Sequence, residues 1–267
     1  MVDWSSTLFA LVCGVFTCPS LGAAAPLHEA SALYRLHYSE NALSALETSE
    51  DTSAAKSGLH GRVLMQLNRP GPSIPLLEKA RQETHLRGPL CLDLVRALRL
   101  NGEFDRARTL LDSCPDQPLQ YHLEEARIMT GKSGPVQALP LWKNLLKQRR
   151  KGTPFSEVRW EIVRGLEGSN RSDKAFQQRK RLAIRWPHTP EGKSCSTSDL
   201  LQTFSLREKI EHATRLWDVR LYDEAYTAYG RLLTDEKQKD EAHLMMGRLL
   251  SERKRSLYPK AIEHFQA

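Results

Sequence analysis

Cysteine is the residue type in this chain with the most chemistry to offer. Loss of the N-terminal leader described below would leave Cys91, Cys114 and Cys195, an odd number that cannot be fully paired within one molecule. A nucleophilic thiolate needs a base or a cationic neighbour, and no His with triad-like context accompanies Cys91. Cys91 instead opens one expected helix and Cys114 closes the next, and antiparallel packing of a helical hairpin brings those two ends together. Two readings follow: a disulfide between Cys91 and Cys114, or two small buried apolar residues. One thiol then stays free or pairs elsewhere.

Other residue types offer less. The histidines lack the i, i+4 pairing or Cys spacing of a metal site, so no metal ligand set and no cofactor is expected. Gly131-Lys132-Ser133 lacks the upstream Gly-rich run of a phosphate loop and reads as a turn. Asn170-Arg171-Ser172 fits the glycosylation acceptor pattern on a surface turn. Trp142, Trp160, Trp186 and Trp217 either stack on sugar rings or pack in the core, where Trp is highly buried on average. Gln148-Arg149-Arg150-Lys151, Arg179-Lys180-Arg181 and Arg253-Lys254-Arg255 either attract carboxylates or form solvated helix surface. No catalytic residue is recognisable among these groups.

The elements that would position such residues are helices. Leu and Ala are abundant and β-branched runs are nearly absent, which favours an all-α class. The formal charge of +7, from 39 basic and 32 acidic residues spread along the chain, is mild for this length and does not argue for nucleic acid. Residues 8–16 form an apolar stretch too short to span a bilayer, followed by Leu21-Gly22-Ala23-Ala24-Ala25. That pattern reads as a secretory signal over residues 1–25 with cleavage near Ala25, although Asp3 is the one charged side chain before the apolar run. No later segment approaches the roughly 20 apolar residues of a membrane helix, so no membrane span is expected in the mature chain.

Internal repetition organises the rest. Gly102-Glu103-Phe104-Asp105-Arg106-Ala107, Leu221-Tyr222-Asp223-Glu224-Ala225 and Tyr258-Pro259-Lys260-Ala261 share an aromatic followed by a small residue that opens an apolar stripe. Weaker copies centre on Ala42, Ser73, Ala138 and Ala175. Successive small residues lie 31, 34, 31, 37, 50 and 36 positions apart, most of them close to the period of about 34 residues of helix-turn-helix repeats, and the long interval contains Trp186-Pro187-His188-Thr189-Pro190-Glu191-Gly192. Phe104, Tyr222 and Tyr258 are expected to pack between the helices of a hairpin, and Ala107, Ala225 and Ala261 to let the second helix approach the first. The expected fold is a right-handed α-solenoid of tetratricopeptide-like helical hairpins. It divides into an array over 26–185, a Pro/Gly/Ser-rich linker over 186–198 and further repeats over 199–267.

Residues 205–216, preceded by Arg185-Trp186-Pro187-His188-Thr189-Pro190-Glu191-Gly192, resemble the N-terminal superhelical region of soluble lytic murein transglycosylases. The resemblance is one of pattern over residues 30–267. It implies a periplasmic superhelix that contacts glycan without performing chemistry. In that family the cutting is done by a lysozyme-like domain with a Glu-Ser pair and a Gly-Leu-Met-Gln motif. The nearest match here is Gly61-Arg62-Val63-Leu64-Met65-Gln66, with no Glu-Ser pair upstream at workable spacing, so these residues read as part of a helix and the catalytic domain as absent. The chain stops at Phe265-Gln266-Ala267, inside an expected repeat, which reads as a truncation. The implied partner is peptidoglycan or a cell-envelope protein. Two alternatives remain: the N-terminal part of an active transglycosylase whose lysozyme-like domain lies beyond the chain, or a tetratricopeptide adaptor for other proteins.

Overall fold

The computed structural model describes residues 25–114, 118–148, 150–233, 239–253 and 257–267. The leader expected over residues 1–25 therefore lies outside them up to Ala24. Among the described residues the fold is all-helical. The chain divides into two compact units, Met1–Asp116 and Gln117–Ala267, a boundary that falls inside the array expected over 26–185.

In the first unit α1 (Ala25–Arg35), α2 (Ser39–Thr48), α3 (Ala54–Gln66) and α4 (Pro70–Ala80) lead through the single-turn α5 (Thr84–Arg87) to α6 (Cys91–Leu100) and α7 (Phe104–Asp112). Helix α1 packs on α2, α3 on α4 and α6 on α7, and α2–α3 and α4–α6 contacts join the pairs. The second unit holds α8 (Pro118–Ser133), α9 (Pro135–Gln148), α10 (Phe155–Gly168), α11 (Ser172–Arg185), α12 (Pro190–Cys195), α13 (Ser198–Gln202), α14 (Leu206–Asp218), α15 (Tyr222–Gly230), α16 (Lys239–Arg253) and α17 (Tyr258–Gln266). Here α8 to α11 pack each on the next, α11 also meets α14, and α14 to α17 again pack in sequence.

Apolar residues at helical spacing explain the pairing. Helix α6 buries Cys91, Leu94, Val95 and Leu98, the i, i+3, i+4, i+7 stripe of a helix with one face in a core. Each fully buried Leu or Val of this kind contributes about 1.5–3 kcal/mol.

One turn geometry recurs in both units. Between α1 and α2, α3 and α4, α6 and α7, α10 and α11, and α14 and α15, three residues connect the helices. The middle one is left-handed in each: His37 (φ 62°), Asn68 (57°), Gly102 (83°), Asn170 (56°) and Arg220 (63°). The third residue's N–H donates back to a leucine carbonyl five positions earlier: Tyr38 to Leu33, Arg69 to Leu64, Glu103 to Leu98, Arg171 to Leu166 and Leu221 to Leu216, all at 2.8–2.9 Å. This is the 6→1 bond of a Schellman ending, which satisfies carbonyls that the helix terminus would otherwise leave open. Four residues after each third residue comes the small one: Ala42, Ser73, Ala107, Ala175 and Ala225, each at most 2% exposed. The repeat is thus a leucine and a small residue nine positions apart around a left-handed turn. A side chain costs about 1–2 kcal/mol in that conformation. Arg220→Gly should therefore raise stability by about 0.5–1 kcal/mol after glycine's larger unfolded-state entropy is subtracted. A urea midpoint that falls instead would show that the Arg220 side chain compensates its own strain.

Within the stretch 186–198, expected as a linker, Pro190–Cys195 form α12 and Ser198 opens α13. Thr189 accepts a hydrogen bond from the Gly192 N–H at 3.1 Å, and Pro190 occupies the first helical position, where proline is favoured. A β-carbon at Gly192 would lie 1.8 Å from the Trp186 carbonyl oxygen, so this glycine serves close approach of backbone to backbone. Cys195 is buried in the same core as Leu182 and Phe204.

Candidate functional site

Ala107, Ala225 and Ala261 are at most 2% exposed, and Phe104 and Tyr222 are half-buried. Tyr222 packs against the core formed by Ala213, Tyr229 and Met246. The side chain of Tyr258 lies outside the described residues. The weaker copies Ala138 and Ala175 are equally buried.

Cys91 and Cys114 are joined by a disulfide whose Cα atoms are 5.6 Å apart. It ties the first residue of α6 to the residue two beyond the end of α7. The Arg81 Nη2 group reaches toward Cys91 Sγ at 3.7 Å. Cys195 is a buried free thiol, and burial pushes its pKa up to about 11, which holds it in the unreactive protonated form.

The other sequence candidates are dispersed, most of them into packing. Trp142 is fully buried, with its indole N–H donating to Thr130 Oγ1 at 2.9 Å. Trp160 and Trp186 pack half-buried against the core around Leu182, and the Arg159 guanidinium lies 5.5 Å from the Trp186 ring. Trp217 donates to Glu252 at 2.9 Å. Gly61, Val63 and Leu64 of the Gly61–Gln66 match are buried in α3, and a β-carbon at Gly61 would meet Leu77 Cγ at 2.7 Å, so this segment is spent on α3–α4 packing. Arg179 pairs with Glu167 at 2.5 Å. Lys180 is buried and pairs with Glu208 at 2.7 Å, so this basic run is only partly solvated. Arg150 and Lys151 are exposed; Arg149, Lys254 and Arg255 lie outside the described residues.

A buried polar network went unnoticed in the sequence. Glu124 on α8 is 0% exposed and accepts from Arg127 at 2.7 Å. Arg127 also grips Glu157 of α10 with two bonds of 2.7 Å. Desolvation acts against the guanidinium, and the Glu157 and Glu124 carboxylates outweigh it, so its pKa is held above the ordinary arginine value. The signal was Glu124-x-x-Arg127, an i, i+3 pair indistinguishable from a solvated surface pair.

The second unit also contains a cleft where α13, α14 and α15 converge. One cavity of about 350 Å³ is lined by Leu201, Phe204, Lys209, His212, Ala228 and Arg231 among others. A neighbouring one of about 480 Å³ shares Leu201, His212, Ala228 and Arg231 and adds Lys193, Asp223 and Glu224. His212 Nδ1 lies 2.9 Å from the Ala183 carbonyl; a carbonyl only accepts, so Nδ1 carries the proton. Burial pulls the His212 pKa below 6.5, the Ala183 bond opposes this and the Arg231 charge adds to it.

The unfolded chain therefore takes up a proton at His212 near pH 6.5 that the folded chain refuses. Stability is full above that pH and declines as pH falls toward the lowered folded value, by at most about 1.4 kcal/mol per unit. His212→Asn, whose amide can still donate to Ala183, should flatten this decline in urea midpoints taken at neutral and mildly acidic pH. Equal slopes for both proteins would remove His212 from the account.

No protein-family model matches this chain, and no curated protein is detectably similar to it.

Proposed function

We propose that this chain is a non-catalytic helical-repeat interaction module of tetratricopeptide-like, α-solenoid type, exported to the periplasm and associated with peptidoglycan or a cell-envelope protein. The observation that carries the reading is the recurrence of one connection: five helix pairs share the same left-handed turn, and each pair has its small residue buried. Stacked pairs of this kind bury a continuous core and present an extended surface whose ligand is set by individual side chains. A receptor already rigid loses less affinity to its own ordering on binding.

Two observations support the compartment and the absence of chemistry. The Cys91–Cys114 disulfide suits an oxidising compartment, where such bonds persist. The Gly61–Gln66 segment, the one match to the transglycosylase motif, is committed to packing against Leu77. The cell-wall partner itself rests on the resemblance of residues 205–216 to the transglycosylase superhelix.

The test is co-sedimentation of the purified chain with peptidoglycan sacculi, assayed in parallel for released muropeptides. Binding without release is the expected outcome. Release would locate an enzyme in this chain, and neither binding nor release would leave a protein-binding adaptor.

A further inference from the structure

The cleft of the second unit has the composition of a site for a small amphipathic anion. Its apolar walls are Leu201, Phe204 and Ala228, Lys209 lines it and not the adjoining cavity, and no carboxylate lines the 350 Å³ cavity among the described residues. That volume sits at the small end of the range for ligand cavities, about 300–1,000 Å³. Glu208, next to Lys209 in sequence, does not cancel this charge. Its carboxylate is engaged by Lys180 at 2.7 Å and by the Ser205 N–H at 2.8 Å, as part of the capping box that starts α14.

The walls are fixed before any ligand arrives. Phe204 is 5% exposed, with the Lys180 ammonium 5.5 Å from its ring centroid and the His212 ring edge-on at 5.9 Å. His212 is in turn held by the Ala183 carbonyl. A ligand entering this space would need little reordering of its receptor, which is one of the costs of binding.

The adjoining cavity sets the direction and the charge of the ligand. It shares four walls with the first but carries Asp223 and Glu224, so the negative groups lie on one flank and Lys209 on the other. An anionic head belongs on the Lys209 flank, and a second negative charge on the body would face the two carboxylates. We propose that this cleft binds a small monocarboxylate with an apolar body, its head on Lys209 and its body on Leu201, Phe204 and Ala228. This site is independent of the peptidoglycan reading and stands or falls separately from it.

Calorimetric titration of the chain at low salt with octanoate, its neutral isostere octanamide and the eight-carbon dianion suberate tests the proposal. Octanoate is expected to bind at one site with a Kd on the order of 0.1–1 mM, as its few heavy atoms permit. Octanamide and the Lys209→Gln variant should each be about tenfold weaker, as loss of a charge-assisted hydrogen bond implies, and suberate should be weaker by a similar factor because its second carboxylate faces Asp223 and Glu224. Lys209 is half-buried and makes no structural ion pair among the described residues, so this variant keeps its fold. Lys193→Gln, on the far flank, should bind octanoate as the parent does. Octanamide or suberate binding as tightly as octanoate, an unaffected Lys209→Gln, or no saturable octanoate binding at millimolar concentration would each overturn it.

Discussion

Arg127→Met should lower the free energy of unfolding by about 3–5 kcal/mol, the cost of leaving one member of a buried ion pair without its partner. Glu124 is fully buried, and the Arg127 guanidinium pairs with it at 2.7 Å. Without the guanidinium the buried carboxylate loses the charge that favours its ionised form, and burial then raises its folded-state pKa. The sign of the pH dependence follows. A raised folded pKa gives stability that is fully present below the unfolded value, about 4.3 for Glu, and is lost as pH rises through the folded one. The variant should therefore be markedly more stable at pH 5 than at pH 8. The double variant Arg127→Met, Glu124→Met should recover most of the loss, because a buried pair replaced by apolar residues of similar size is often neutral. Guanidinium unfolding at the two pH values decides. A single variant that loses under about 1 kcal/mol and shows no new pH dependence would mean that water reaches Glu124.

Removing the Cys91–Cys114 bond should destabilise the first unit by about 3 kcal/mol. The two residues are 23 apart in sequence, and releasing a closed loop of that size returns about this much entropy to the unfolded chain. Both Cys91→Ala, Cys114→Ala and reduction of the parent by dithiothreitol should shift the thermal transition of this unit downward by the same amount. The double variant should then be insensitive to dithiothreitol. Cys195 offers an internal control, since a buried thiol with its pKa at about 11 exchanges slowly with disulfides. A parent protein indifferent to reductant would show that the bond does not form under the conditions of purification, and would remove its support for an exported protein.

Contacts between near neighbours in the chain are legible in its residues. Apolar residues at three- and four-residue spacing, as in Leu94, Val95 and Leu98, specify a helix with one buried face wherever that face finds cover. The small residues from Ala42 to Ala261 could be picked out because a helix–helix contact excludes a larger side chain at one recurring place. The Cys91–Cys114 pairing was one of two readings open in the sequence, because two helices joined by a three-residue turn return their ends to each other.

Other features depend on groups distant in sequence and arise only when the helices pack. His37 and Arg220 adopt a left-handed turn that no local preference favours, held by helices packed on either side. Glu124 and Arg127 read as a solvated pair because i, i+3 spacing says nothing about burial; the arrival of Glu157 from the next hairpin and the close-packed core around them make the pair internal. Residues 186–198 have the composition of a linker, yet Gly192 and Cys195 are there for close contact. The Leu201, Lys209 and Arg231 cleft spans three elements, and the α11 carbonyl at Ala183 that orients its His212 wall is 29 residues away. Its chemistry therefore exists only after α11, α14 and α15 have come together.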